Sequence, residues 1–266
     1  MSKELIQQQF GANAAAYLTS AVHAKGASLA RLVELVGPKA NWTVLDVATG
    51  AGHTAAVFAP HVAQVVASDL TPEMLVQARK LAEEKSLGNM ETAIADAEAL
   101  PFPDTSFDLV TCRIAPHHFP DVGKFVREAH RVLKPGGTFA VVDNVSPDSD
   151  TTPGYSAGQL KDAGIAYNAF EKLRDPSHGR ALDTSEWLAL IAKAGLALAH
   201  KEHAPKSMDF QSWVKTMNVP ADTVPRLAAM LDDASPALKA FLKPTNENGK
   251  RGFTLDELIA IAHRPA

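Results

Sequence analysis

A ten-residue stretch decides the fold of this chain: Thr43-Val44-Leu45-Asp46-Val47-Ala48-Thr49-Gly50-Ala51-Gly52. Its first half is apolar and β-branched, and it has the length of a buried strand. Its second half is a Gly-x-Gly turn, after which a helix can begin at His53. Because Gly50 and Gly52 have no Cβ, the backbone can turn sharply there and lie close to a ligand. The stretch therefore predicts a strand, a tight turn and a helix, with an adenosine-containing cofactor at the turn.

The spacing around this turn fits two classes of cofactor. Gly50-x-Gly52-x-x-Ala55, with Asp69 nineteen residues after Gly50, matches the dinucleotide fingerprint of NAD-binding proteins. Asp46 argues against NAD, because a carboxylate near the carboxyl end of the first strand repels a pyrophosphate and attracts a cation. S-adenosylmethionine (SAM) has no phosphate and carries a sulfonium and an ammonium group. Asp46 therefore favours SAM over NAD.

Composition limits the class of protein. The 266 residues, 46% hydrophobic and 21% charged, are enough for one large globular domain. The formal charge of −4 gives no long-range attraction to nucleic acid, and no apolar run reaches the roughly 18 residues of a membrane span. The start of the chain lacks the apolar core of a signal peptide. We expect a cytoplasmic protein with a small-molecule substrate, no nucleic-acid partner and no membrane span. The oligomeric state stays open.

The chain has one cysteine, Cys112, inside an apolar run. A single cysteine cannot form an intramolecular disulfide and is a poor basis for a metal site, so we expect a buried, inert thiol and no metal.

Apolar periodicity predicts an alternation of strands and helices after a helical N-terminal region at residues 3–37. The predicted strands are 43–47, 62–68, 90–95, 107–112 and 138–142, and the helices between them include 71–87 and 121–134. Beyond Asp143 the pattern predicts helices at 156–173, from Thr184 to Gly195, and in several short pieces over 207–243. Strands at 196–203 and 253–262 are predicted to form the final antiparallel pair. Strand, helix and strand in repetition indicate a parallel sheet with right-handed crossovers.

Four motifs occur in order over residues 44–143: VLDVATGAG, VVASDLTPEML, ADAEALPFPDTSFDLVTCR and RVLKPGGTFAVVD. Together they resemble the class I SAM-dependent methyltransferases, in the UbiE-like (methyltransferase type 11) branch. The resemblance implies an α/β, Rossmann-like sheet of seven strands, mostly parallel with one antiparallel strand, with helices on both faces. It implies one methyltransferase domain over 1–266: an N-terminal helical cap (1–42), a SAM-binding core (43–143), and an acceptor lid with the antiparallel strands (144–266).

The resemblance also implies which residues bind the cofactor: Asp46, Gly50, Gly52, Asp69, Leu70, Met74, Asp96, Ala97 and Arg113. Asp69 is expected to hold both ribose hydroxyls, since a carboxylate can accept from two adjacent donors. Asp96 is expected to accept from the adenine amino group. Arg113 is expected near the methionine part, with an ordinary surface cation as the alternative. Tyr17, on the leading helix, is a further candidate because that helix must pack near the ligand edge or flank of the sheet.

Methyl transfer from a sulfonium needs no protein nucleophile. It needs alignment, a dry pocket and, for some acceptors, a base. His117 and His118 lie at the carboxyl edge of the fourth strand, and His117 is the predicted base because Pro116 stiffens the loop before it. We expect an enzyme that methylates an O, C or N atom of a small organic acceptor. The alternatives are a SAM-fold enzyme with other chemistry and a non-catalytic SAM-binding protein.

Overall fold

The computed structural model describes residues 3–18 and 27–266. Contacts divide the chain into two compact units. The first contains the described residues up to Asp143 together with Leu188–Glu202 and Ile259–Ala266. The second contains Asn144–Trp187 and His203–Leu258.

Helices and strands alternate as the apolar periodicity predicts. In the described residues the helices are α1 (Lys3–Leu18), α2 (Ala27–Val36), α3 (His53–Phe58), α4 (Pro72–Glu84), α5 (Val122–Val132), α6 (Ala157–Arg174), α7 (Thr184–Lys193), α8 (Phe210–Thr216), α9 (Val224–Asp232) and α10 (Pro236–Leu242). The strands are β1 (Thr43–Val47), β2 (Gln64–Asp69), β3 (Met90–Ile94), β4 (Phe107–Arg113), β5 (Leu133–Asn144), β6 (Ala197–Asp209), β7 (Thr245–Glu247) and β8 (Lys250–His263). Short 3₁₀ turns occupy Ala59–His61 and Pro116–His118.

The strands form one mixed sheet in the order β3-β2-β1-β4-β5-β8-β6, and the short β7 pairs with β8 beside this path. The pairs β1–β2, β1–β4, β2–β3 and β4–β5 are parallel, and β7–β8 is antiparallel. The predicted Rossmann-like sheet, mostly parallel with helices around it, is confirmed. Among the described residues the short β7 adds an eighth strand to the seven predicted. The order along the chain reverses between β1 and β4, and open parallel sheets bind ligands at such a switch point.

The central strand β1 shows why the sequence forms this sheet. Its apolar side chains Val44 and Leu45 are fully buried, as expected for a parallel strand covered on both faces. The strand is followed by the Gly-x-Gly turn and by α3, so the chain reverses at the carboxyl edge of the sheet. Helix α5 covers the sheet with an apolar face that includes Phe125, Val126 and Ala129. Full burial of each large side chain contributes about 1.5 to 3 kcal/mol.

Some boundaries differ from the sequence-based prediction. Strand β5 begins at Leu133 instead of residue 138. Its pairing with β4 shifts register between Phe107 and Leu109, and this shift allows the strand to include the Pro-Gly-Gly segment. The last long strands, β6 and β8, extend to Asp209 and back to Lys250, beyond the predicted ends.

The second unit has its own aromatic core. The Phe170 and Trp213 rings stack with centroids 4.7 Å apart, and Phe253 meets Trp213 edge-on at 5.0 Å. The guanidinium of Arg174 lies over the Trp213 ring, 4.7 Å from its centroid. These contacts join α6, α8 and β8 within this unit.

Candidate cofactor and active site

A cavity within the first unit opens at the carboxyl ends of β1, β2, β3 and β4 and holds, up to its open mouth, about 970 Å³ of empty space. Helix α1 contributes Lys3 and Phe10 to its wall. Among the residues predicted to bind the cofactor, those that line it are Gly50, Asp69, Leu70, Met74, Asp96, Ala97 and Arg113. The structure thus brings most of the predicted set to one cavity.

Three predicted residues stand outside this wall, and one side chain is not described. Asp46 lies behind the wall, and Gly52 packs between α4 and β3. His117 turns toward Asp143. Tyr17 belongs to α1, but its side chain lies outside the described residues.

The glycine turn uses its two glycines differently. Gly50 has a φ of 56°, and a Cβ built on it meets nothing within 4 Å. Gly52 has a φ of 87°, and a Cβ there would lie 2.8 Å from Met90 Cε and 3.0 Å from Ala78 Cβ. Gly50 therefore keeps the wall open toward a ligand, whereas Gly52 permits the close packing of α4 and β3 behind it.

Asp69 ends β2 as a buried acceptor at the cavity wall. Its Oδ2 accepts a hydrogen bond from the Gly50 backbone N–H at 2.9 Å, and its Oδ1 accepts from the Thr71 N–H at 2.8 Å. Burial raises the pKa of this carboxyl, and the two backbone donors oppose that rise. Each oxygen keeps further acceptor capacity, so the side chain can bind two adjacent hydroxyls.

Asp46 lies on β1, 1% exposed, and acts on the cavity through a neighbour. It accepts hydrogen bonds from the hydroxyls of Thr111 and Thr49, each at 2.6 Å, and from the Ala55 N–H at 3.2 Å. Burial raises its pKa to about 6, against the opposing effects of these donors and of the Arg113 charge. Thr49 lines the cavity, and because its single proton goes to Asp46, its oxygen presents acceptor lone pairs.

The end of the cavity next to β3 carries an ion-pair cluster. Lys3 Nζ lies 2.6 Å from Asp96 Oδ2 and 3.0 Å from Glu98 Oε2. Gln7, one turn further along α1, donates to the Leu70 carbonyl at 2.9 Å. Helix α1 is therefore fixed to the segments that follow β2 and β3, a contact that the alanine-rich sequence did not signal.

The segment at the carboxyl end of β4 carries Arg113 and His118, which line the cavity, and His117, which does not. Arg113 Nε donates to Thr54 Oγ1 at 3.1 Å. His118 lines the cavity and meets the Phe10 ring edge-on, with centroids 4.9 Å apart. His117 Nδ1 lies 2.5 Å from Asp143 Oδ1, and both side chains are almost fully buried.

Sequence reasoning missed several wall residues: Lys3, Phe10, Thr49 and Thr54. A signal existed for Thr49, which directly precedes the glycine turn and follows Asp46 by three residues. The α1 residues gave none.

Comparisons with known proteins agree with this architecture. The family model described as a methyltransferase domain matches residues 45–141. The uncharacterized methyltransferase YcgJ of Bacillus subtilis (strain 168) is 37% identical over 242 residues, which cover 91% of each chain. A solved structure from Bacillus halodurans C-125 superposes with a TM-score of 0.82 at 38% identity, covering 91% of this chain and 100% of that one.

The similarity to quinone methyltransferases is more limited. The demethylmenaquinone methyltransferase of Thermus thermophilus is 41% identical over 119 residues, which cover 44% of this chain and 54% of that protein. The match to YcgJ, in contrast, extends along nearly the whole of both chains. The resemblance drawn from the four sequence motifs is confirmed, and the chain belongs to the class I SAM-dependent methyltransferases.

Proposed function

We propose that this enzyme binds SAM in the cavity and transfers its methyl group to an O, C or N atom of a small organic acceptor. The observation that carries the proposal is the wall itself. Asp69, Asp96 and the open turn at Gly50 meet in one cavity, at the switch point of the sheet.

The wall residues suit each part of SAM. Asp69 is a paired acceptor for the ribose hydroxyls, and Leu70 and Met74 provide apolar surface for adenine. The Thr49 oxygen, oriented by Asp46, suits the ammonium or sulfonium charge. Arg113 suits the carboxylate of the methionine part.

A pyrophosphate finds a poorer environment in this cavity. Asp69, Asp96 and Glu98 line it, and Asp46 lies directly behind Thr49. Lys3 partly balances the charges of Asp96 and Glu98. Asp69 and Asp46 repel phosphate oxygens across a wall of low dielectric. The wall therefore supports SAM over NAD.

SAM, when bound, supplies an activated methyl group on a sulfonium leaving group. The chain's own residues bind both reactants, align them and exclude water. Asp69 ends β2 and Asp96 follows β3, so we place the adenosine part at that side of the sheet. The methyl group then lies toward β4, where Arg113, Ile114 and His118 line the cavity.

The partner of the enzyme in this proposal is a small-molecule methyl acceptor. Among the residues that the structure describes, no helix is both long and apolar enough to cross a membrane.

Calorimetry with the purified chain tests the proposal. SAM and S-adenosylhomocysteine (SAH) should bind, and NAD should not bind at a comparable affinity. Incubation of SAM with hydroxyl, amine and carbon-acid acceptors should then yield SAH and a methylated product. NAD binding as tight as that of SAM would overturn the assignment of the cavity.

A further inference from the structure

We propose that His118 is the base that accepts a proton from the methyl acceptor, and that the buried Asp143–His117 pair positions it. The proposal rests on the proposed function, because it needs the methyl group at the β4 side of the cavity. It also specifies the acceptor class: an acidic hydroxyl, phenolic or enolic, on an apolar ring.

The position of His118 is the first argument. His118 lines the cavity together with Ile114 and Phe119, in the segment that follows β4. Phe10 contacts it edge-on from α1. These apolar and aromatic neighbours suit a ring-bearing acceptor beside the imidazole.

The adjacent histidine has a different environment. The His117 Nδ1 atom is held 2.5 Å from Asp143 Oδ1, and the side chains are 8% and 2% exposed. Neither side chain of this pair lines the cavity, whereas His118 does. In this proposal His118 takes the role that the sequence predicts for His117.

Contacts of the turn hold the two rings in place. The Ile114 N–H donates to the Val142 carbonyl at 2.7 Å, which ties the turn to β5 directly before Asp143. The His118 N–H donates to the Ala115 carbonyl at 2.9 Å. The two imidazole centroids are 4.2 Å apart, so displacement of His117 would displace His118. His117 is thus a positioning residue.

The chemistry of a base limits the acceptor. A histidine of ordinary pKa near 6.5 suits proton transfer from a hydroxyl whose own pKa is near that of a phenol, about 10. In the step, the acceptor oxygen forms a bond to the methyl carbon, and the carbon–sulfur bond breaks with its electron pair on sulfur. The hydroxyl proton goes to the His118 imidazole. The products are the methyl ether, SAH and the imidazolium, which releases its proton to solvent.

Other charged or titratable groups act on the same space. Those that line the cavity are Lys3, His53, Asp69, Asp96, Glu98 and Arg113. Behind the wall lie His117 and Asp143 from the turn and β5, and Asp46 from β1. All these groups contribute to the pH dependence of the site. The contribution of one imidazole is therefore measured as the difference between the wild-type pH profile and that of a variant that changes this imidazole alone.

The test uses 4-nitrophenol, which is coloured as the phenolate, with the SAH-saturated full chain. At a pH about one unit below the pKa of the free probe, the wild-type complex should increase the phenolate absorbance in a saturable manner. In His118→Gln the ratio of ionised to neutral bound probe should fall roughly tenfold, the scale of one pKa unit. SAH affinity, measured by calorimetry, should stay unchanged. His61→Gln, an exposed imidazole outside the cavity, is the matched control and should behave as wild type.

Two substitutions of His117 separate a base from a positioning residue. His117→Asn keeps an N–H donor for Asp143 close to the position of the His117 Nδ1 atom. The bound probe should therefore ionise with the same pH midpoint as in the wild type. His117→Leu leaves Asp143 buried without that donor and should lose the ionisation. If the leucine variant does not fold, the asparagine variant decides alone.

The outcomes distinguish this proposal from the function on which it rests. Failure of wild type to bind SAH would overturn both. SAH binding without ionisation of the probe would overturn the role of His118 and leave the cofactor site intact. Ionisation retained in His118→Gln, or lost equally in His117→Asn, would also overturn it.

Discussion

Thr49 Oγ1 donates a 2.6 Å hydrogen bond to Asp46, and Thr49 lines the cavity while Asp46 is 1% exposed behind it. Thr111 donates an equally short bond to the other oxygen of Asp46 from β4, away from the cavity wall.

The two threonines therefore give a matched pair. Thr49→Val and Thr111→Val each remove one hydrogen bond to a charged group, worth about 1.5 to 3 kcal/mol of folding free energy. We expect only Thr49→Val to weaken SAM binding as well, by about tenfold. Denaturant unfolding and calorimetry measure the two effects, and equal losses of SAM affinity would contradict a contact through Thr49.

Asp46 should also make stability depend on pH. Burial raises its pKa to about 6 from 3.8, so between about pH 4 and pH 6 the native state binds more protons than the unfolded state. This extra proton binding stabilises the native state fully below the pKa of the unfolded state, and the stabilisation is lost as pH rises through the pKa of the folded state. The loss amounts to about 3 kcal/mol of unfolding free energy at neutral pH. Asp46→Asn should flatten this part of the profile of unfolding free energy against pH. A slope identical to wild type would contradict the raised pKa.

Ionisation of Asp46 lowers the stability of the fold as pH rises, but it should strengthen the binding of SAM. The cationic groups of SAM favour the ionised form of Asp46, so wild-type affinity for SAM should rise as pH increases from about 4 to 7. Asp46→Asn should show weaker binding at pH 7 and little change across that range. Calorimetry at several pH values measures both.

Asp69→Ala should weaken SAM binding by about 1.5 to 3 kcal/mol, because it removes a charged acceptor for two hydroxyls. Asp108→Ala is the matched control, since Asp108 accepts a backbone hydrogen bond from Thr43 at 2.8 Å but does not line the cavity. Both variants should lose some stability, and only the first should lose affinity. Unchanged affinity in a folded Asp69→Ala protein would show that the ribose binds elsewhere.

The two glycines of the turn should respond differently to alanine. Gly50→Ala places a methyl group in open space at a left-handed φ, so it should cost about 1 to 2 kcal/mol of stability and weaken SAM binding sterically. In Gly52→Ala the methyl group also overlaps Met90 and Ala78, which adds about 1 to 3 kcal/mol. Thermal unfolding should therefore rank Gly52→Ala as the less stable variant. The reverse order would contradict the packing role of Gly52.

The fold was predictable from sequence because local signals agree with each other. Buried β-branched runs, the glycine turn and the helix periodicity all indicate the same sheet, and topology then brings the residues at the strand ends, such as Asp69 and Asp96, to one edge. The start of β5 was not predictable, since Pro135-Gly136-Gly137 has the composition of a helix stop. Its inclusion in the strand depends on a register shift against β4.

The details of the site depend on contacts between distant residues. His117 and His118 are chemically alike neighbours, and which of them faces the cavity depends on Asp143, 26 residues away from His117. Lys3 reaches Asp96 across 93 residues. No local pattern encodes either pairing, so sequence alone located the edge of the sheet but not the orientation of each side chain.

Strand β8 is the last strand in the chain, yet it lies between β5 and β6 in the sheet. During synthesis, β5 is therefore complete more than a hundred residues before its neighbour exists, and its edge offers unpaired backbone donors and acceptors for that time. A nascent chain, or a fragment cut before Lys250, presents a buried-type apolar strand to other chains. The order of the strands thus leaves the edge of β5 open to self-association during biogenesis, and the finished sheet closes it.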